Sequence, residues 1–225
     1  MLVLAAVKGI SAIATGSWST KTPDPTLARF AAIPGLSQTY TPALQPSPDY
    51  AGSYFNRGVA YDNTSQFDRA IQEYDQAIRL NPNYAVAYYN RGLDYANKGQ
   101  FERAMEDYDQ AIRLNPANPD IFVSRGVAYD GKGQYDRAIQ NYDRAISLKP
   151  DYALALVDRG IAYANREQYD RAIGDYDQAI RLSPNDADAL YNRGQAKRAK
   201  GDIAGGDADI AKARQFNPDL PPVSP

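Results

Sequence analysis

Residues 56–78 read NRGVAYDNTSQFDRAIQEYDQAI, and the same frame returns 34 residues later, over 90–112, as NRGLDYANKGQFERAMEDYDQAI. Outward from this pair the register continues without insertion or deletion. Ser124-Arg125-Gly126, Asp158-Arg159-Gly160 and Asn192-Arg193-Gly194 carry on the first fingerprint. Tyr142-Asp143-Arg144-Ala145-Ile146 and Tyr176-Asp177-Gln178-Ala179-Ile180 carry on the second. The span 51–220 is therefore five units, 51–84, 85–118, 119–152, 153–186 and 187–220. A strict period of this length predicts a stacked array of helical units, each burying its apolar face against its neighbour, rather than a globular enzyme.

Tyr54, Gly58 and Tyr61 stand in the first half of the first unit, Ala70, Tyr74 and Ala77 in the second, and Pro82 closes it; Tyr88, Gly92, Tyr95, Ala104, Tyr108, Ala111 and Pro116 repeat the pattern. On these residues the chain resembles the tetratricopeptide repeat (TPR) family over 170 of its 225 residues. The resemblance implies an all-α fold, an α-solenoid of five helix-turn-helix repeats wound into a right-handed superhelix. It also implies a non-enzymatic scaffold or adaptor that binds a segment of another protein. The family has many partners, so the fold names none of them.

Composition narrows the chemistry. Formal charge is −2, with 25 basic and 27 acidic residues interleaved through the repeats. Nucleic acid is not expected as a partner, because phosphate binding needs a basic stripe that releases counterions. With no cysteine and no histidine, disulfides, sulfur or imidazole metal sites and serine-histidine or cysteine-histidine catalysis drop out. No cofactor or metal is expected, and only carboxylate or lysine chemistry remains. A hydrolase built on acids such as Asp62 and Asp130 would need a distinct acid pair in an apolar pocket. In the sequence these acids read as solvated helix residues, and no unit shows such a pair.

Residues 1–16 are apolar except for Lys8, a run too short to span a bilayer. Ala12-Ile13-Ala14 resembles a small-x-small cleavage site, yet no positive charge precedes the apolar run. Two readings stay open: the remnant of a secretory signal in residues 1–14, with a periplasmic protein, or an amino-terminal extension of a cytoplasmic one. Residues 17–50 carry six prolines and read as a linker. Asp24, Pro25, Leu27, Phe30 and Ala31 fit one short helix inside it, stopped by Pro34-Gly35. The segment 24–44 is expected to pack over the open end of the first unit, or to lie along the array as a built-in ligand. Residues 221–225, Pro-Pro-Val-Ser-Pro, are expected to be a disordered tail that forms no capping helix.

Each unit reads as a first helix (51–63 in unit one) and a second helix (67–80). Gly99, Gly133 and Gly201, with Ser65 and Glu167 at the same place in units one and four, suit the left-handed residue that ends a helix. Gly58, Gly92, Gly126, Gly160 and Gly194 stand inside first helices, where glycine costs about 1 kcal/mol against alanine. A close helix crossing, with Gly58 facing Ala70 and Ala77, accounts for a cost accepted five times. The fifth unit has Lys197 where the others have tyrosine and Gly206 where they have alanine, and its second helix carries Gly205, Asp207, Asp209, Lys212 and Arg214, as expected of a terminal unit with an uncovered polar face.

First helices have a second apolar stripe: Phe55 and Val59, Tyr89 and Leu93, Val123 and Val127, Val157 and Ile161, then Tyr191 with Gln195. A helix apolar on two sides is buried on both or presents one to a partner. In the TPR family this stripe lines the concave groove. Beside it run Asn56, Asn90, Ser124, Asp158 and Asn192. An amide offers donor and acceptor together and can hold an extended backbone without reading its sequence. The row resembles the asparagine ladder of O-linked N-acetylglucosamine transferase, though Ser124 and Asp158 depart from it and no glycosyltransferase domain is present. Hydrogen bonding within the array is the other use open to these residues. The basic carboxylate clamp of chaperone-binding members is not matched, since Phe55, Val59, Asp120 and Ser124 occupy four of its places. Asp62, Asp120, Asp130 and Asp188 instead favour a ligand with some lysine or arginine.

Arg57, Arg91, Arg125, Arg159 and Arg193 take a place usually held by leucine in the family. Asp75, Asp109, Asp143 and Asp177, replaced by Ala211 in the last unit, are expected to pair with the arginine of the unit that follows. The function expected is peptide binding by a monomer, through an extended or helical segment of the partner; the alternative is a structural array that assembles through its ends.

Overall fold

The computed structural model describes residues 48–221. The segment 24–44 and residues 222–225 lie outside them. Ten helices follow in pairs: α1 (Pro48–Asp62) and α2 (Phe67–Leu80), α3 (Ala85–Asn97) and α4 (Phe101–Leu114), α5 (Pro119–Gly131) and α6 (Tyr135–Leu148), α7 (Ala153–Asn165) and α8 (Tyr169–Leu182), α9 (Ala187–Ala199) and α10 (Ile203–Phe216). No strand and no helix long and apolar enough to cross a membrane occurs among the described residues. The first helix begins three residues earlier than the sequence suggests, because Pro48 suits a first helical position.

Each helix packs on its pair partner and on the next helix in sequence. Successive first helices, α1, α3, α5, α7 and α9, also touch one another, whereas successive second helices do not to a comparable extent. First helices therefore stand on the inner side of the bend. Left-handed turn residues join the members of each pair: Gly99, Gly133 and Gly201 at φ +70°, +68° and +96°, and Ser65 and Glu167 at +56° and +59°. The two non-glycine residues show that the position is set by the helix end rather than by glycine alone.

The core is a column of second-helix side chains. Ala70, Tyr74 and Ala77, and their counterparts Ala104, Tyr108 and Ala111, Ala138, Tyr142 and Ala145, Ala172, Tyr176 and Ala179, are all buried. The helical glycines have a different cause from the one the sequence suggests. A Cβ on Gly58, Gly126 or Gly160 would lie 2.5 Å from Cε1 of Tyr74, Tyr142 or Tyr176, and on Gly92 2.7 Å from that of Tyr108. The glycine makes a slot for the tyrosine ring of its own unit, and the alanines only line the approach. In the fifth unit Ile210 replaces the tyrosine, and the backbones themselves close up: a Cβ on Gly194 would meet the Gly206 carbonyl oxygen at 2.7 Å.

Gly126→Leu is expected to destabilise the array by about 1 to 3 kcal/mol through overpacking, because Tyr142 is fully buried and cannot swing aside. Gly174, which has nothing within 4 Å of its would-be Cβ, is the control: Gly174→Ala should stabilise by roughly 0.5 to 1 kcal/mol through helix propensity. Urea midpoints measure both. A Gly126→Leu midpoint equal to wild type would mean that the slot is not closed.

Charges tie each unit to its neighbour. Arg91 Nη1 donates to Asp75 Oδ1 at 2.5 Å, Arg159 to Asp143 at 2.6 Å, Arg193 to Asp177 at 2.7 Å, and Arg125 to Asp109 in the same way. Each arginine also binds its own unit, which the sequence reading missed. The guanidinium Nε and Nη2 groups of Arg91, Arg159 and Arg193 fork onto both oxygens of Asp107, Asp175 and Asp209 at 2.6–2.8 Å. Arg125 Nε donates to Asn141 Oδ1 at 2.8 Å, and Arg57 to Glu73 at 2.6 Å. The signal was present as an acid or amide immediately before each fingerprint tyrosine. In the fifth unit Lys197 joins Arg193 on Asp209 at 2.8 Å; Asp209 thus faces inward, not onto the polar end face expected of it. Arginine also covers tyrosine, with Arg69 over Tyr61, Arg103 over Tyr95, Arg137 over Tyr129 and Arg171 over Tyr163 at 5.4–5.6 Å.

Candidate functional site

The inner face is built from one side of α1, α3, α5, α7 and α9. Its apolar stripe is uneven. Phe55, Val59, Tyr89, Leu93, Val127 and Ile161 are only partly buried, whereas Val123, Val157 and Tyr191 belong to the core at 2%, 6% and 5% exposure. The reason is local. Val123 and Val157 fall between neighbouring helices in the two central clusters. Tyr191 packs with Leu220, and its hydroxyl donates to the Pro221 carbonyl at 3.3 Å. Pro221 also accepts from Arg214 at 3.1 Å, so the start of the tail is anchored. Phe55 is held between the rings of Tyr74 and Tyr84, with centroids 5.7 and 5.2 Å away.

The polar row divides into two kinds. Asn56 is exposed; Asn90 and Asn192 donate their amide Nδ2 to the carbonyls of Val86 and Asp188, four residues back, at 2.8 and 2.9 Å. Their Oδ1 atoms accept no hydrogen bond among the described residues. Ser124 is buried, with its hydroxyl 3.2 Å from that of Tyr89. Burial is the larger cause, and Asp120 a smaller one, that pushes the Tyr89 hydroxyl up to about 12 despite this bond.

Acids on first helices form two clusters that sequence reasoning did not foresee. Asp94 stands where units three to five have the buried Ala128, Ala162 and Ala196, and is itself 0% exposed. Both of its oxygens lack a partner among the described residues, as does the hydroxyl of Tyr74. Burial first, then the charge of Asp62, pushes Asp94 up to about 9. Two carboxylates cannot hydrogen-bond, but a protonated Asp94 can donate to Asp62. Asp94 is thus a neutral acid at pH 7. The second cluster joins Asp130 of α5 to Asp158 of α7. Burial lifts Asp130 to about 7; burial, then the charge of Asp130, lifts Asp158 to about 7. The acid pairs that the sequence appeared to lack are therefore present, formed across unit boundaries where no single unit displays them. Among the described residues no group of three or more potential ligands could hold a metal ion.

Family models agree with this geometry. A TPR repeat model matches residues 63–99 and 92–133, and a second tetratricopeptide repeat model matches residues 127–197. No curated protein matches the chain. Among solved structures, MamA is 25% identical with a TM-score of 0.66, covering 72% of this chain and 94% of its own. YrrB, described as a TPR protein with an unusual peptide-binding site, is 26% identical with a TM-score of 0.64, covering 79% and 91%. A MamA fragment from Desulfovibrio magneticus RS-1 is 22% identical, covers 76% and 97%, and shares the fold with a TM-score of 0.70. The chain accordingly belongs to the tetratricopeptide repeat family, as a helical repeat scaffold of the protein-interaction kind.

Proposed function

We propose that the inner face of the first helices holds a segment of another protein. The observation that carries this reading is the pair of half-used amides: Asn90 and Asn192 are oriented by bonds to their own helices, yet their Oδ1 atoms accept no bond among the described residues. A side chain fixed in this way loses little further freedom on binding a ligand N–H. Partly open Phe55, Val59, Leu93, Val127 and Ile161 flank the row and supply apolar contact. The peptide-binding character of the 26% identical YrrB supports the same assignment. Its ligand would be an extended or helical segment, held by backbone and side-chain contacts together.

Asn90→Ala combined with Asn192→Ala should weaken that binding by roughly 0.5 to 1.5 kcal/mol per lost bond, while leaving the melting transition unchanged. Calorimetry on a partner recovered from native extract measures it. Equal affinities of wild type and double variant would return both amides to a structural role.

A further inference from the structure

The acids of this chain divide by the side of the array on which they lie. Glu73, Asp75, Asp107, Asp109, Asp143, Asp175, Asp177 and Asp209 of the second helices each bond an arginine of a first helix. At the turns Asp68, Glu102, Asp136 and Asp170 are met by Lys98, Lys132, Arg166 and Lys200. By contrast Asp62, Asp94, Asp120, Asp130, Asp158 and Asp188, all on first helices, have no ion pair among the described residues. Asp120 has only the Tyr152 hydroxyl, which donates to it at 2.5 Å.

One of these groups has the form of a site. Asp158 is 6% exposed and makes no hydrogen bond among the described residues. Oδ1 of Asp130 and the hydroxyl of Tyr142 are buried without partners among the described residues. Native proteins rarely leave this many polar groups unsatisfied together. The surrounding cations are committed elsewhere: Arg125 to Asp109 and Asn141, Arg159 to Asp143 and Asp175, Arg166 to Asp136. Asp130 is only partly buried, so solvent reaches one side of the pair. Asp94 is shut in completely.

We propose that Asp130 and Asp158, with the Tyr142 hydroxyl beside them, receive a guanidinium or ammonium group from a lysine- or arginine-bearing segment of the partner. This rests on the reading of the inner face as the binding surface and adds the chemistry of what is bound. A cation supplies donors to two carboxylates that otherwise repel each other, and it removes the penalty of burying them. An unoccupied pair instead keeps protons: both acids are lifted to about 7, chiefly by burial. The other groups that feel the pair are hydroxyls: those of Tyr142 from α6 and Tyr176 from α8 feel both acids, and that of Tyr152, bonded to Asp120, feels Asp158. None of them is a cation.

The test uses the full chain with aspartate carboxyl carbons labelled for NMR, and N-acetyl-arginine amide as probe, with N-acetyl-citrulline amide as its uncharged isostere. The arginine probe should give saturable shifts of the Asp130 and Asp158 signals, with a dissociation constant on the order of millimolar for so small a ligand, and should lower their titration midpoints. The citrulline probe should not. Asp158→Asn and Asp130→Ala should abolish the response, and both are residues that other units already carry at these places (Asn90 and Asn192; Ala96 and Ala164), so folding is not at risk. Shifts that are absent, equal for citrulline, or unchanged in the variants would overturn the site. That result would leave the amide row untouched, because the Asn90 and Asn192 calorimetry reads it separately.

Discussion

Asp94→Ala should stabilise the protein, and the gain should grow with pH. In the unfolded chain an aspartate loses its proton near 3.9, whereas the folded array retains the Asp94 proton to about 9. Between these values the native state binds the extra proton, so stability falls as pH rises. The Asp94 carboxyl carries no penalty below pH 4, and its penalty is complete above pH 9. Each pH unit of that interval corresponds to about 1.4 kcal/mol. Its coupling to Asp62 makes the net effect smaller than the full interval, so a gain on the order of 2 to 4 kcal/mol at pH 7 is expected. Ala128, Ala162 and Ala196 show that alanine fits the place in three other units. Asp94→Asn separates charge from packing, since it keeps the shape and loses only the acid. Thermal melts from pH 5 to pH 9 decide: wild type should weaken along that range relative to both variants. Parallel curves would show that Asp94 is not held neutral.

Arg159→Ala should have an effect of similar size and opposite sign. It removes the fork that neutralises Asp175, whose side chain is 6% exposed, and leaves a buried carboxylate alone. Breaking such a pair from one side costs about 3 to 5 kcal/mol. Asp143→Ala removes the other partner, but that carboxylate is half exposed, so less than about 1 kcal/mol is expected. Asp175→Asn should be mild as well, because the third unit already uses Asn141 at that place to bind Arg125. Urea denaturation of the three variants ranks them. An Arg159→Ala variant no weaker than Asp143→Ala would mean that Asp175 finds water or another cation.

Most of the fold was legible because repetition multiplies a weak signal. A single glycine before an apolar pattern says little, but five at one interval locate the helix pairs, and the Asp75-type acids that end at Ala211 foretold which unit each arginine reaches. What the repeat could not show is which side chains meet once the helices are packed. The slot of Gly126 depends on the ring of Tyr142, sixteen residues on. The stripe residues Val123 and Val157 look like Val127 and Ile161 in sequence, yet close packing of neighbouring helices buries the first two. The acid clusters were missed for the same reason, since Asp62 meets Asp94, and Asp130 meets Asp158, only after two units are stacked.

The arginine lattice also gives the array a direction. Every junction joins an acid on the preceding unit to an arginine on the next, a head-to-tail contact of the kind that does not close on itself and in principle extends without limit. At the trailing end Ala211 takes the place of the acid, and at the leading end Arg57 is turned to its own Glu73. A second chain stacked behind the first would meet no carboxylate at the junction, because Ala211 stands where Asp177 of the preceding unit meets Arg193. Ala211 is expected to act as a chain terminator, withholding from a neighbouring molecule the carboxylate that each unit offers the next and so opposing growth of the solenoid into a fibre.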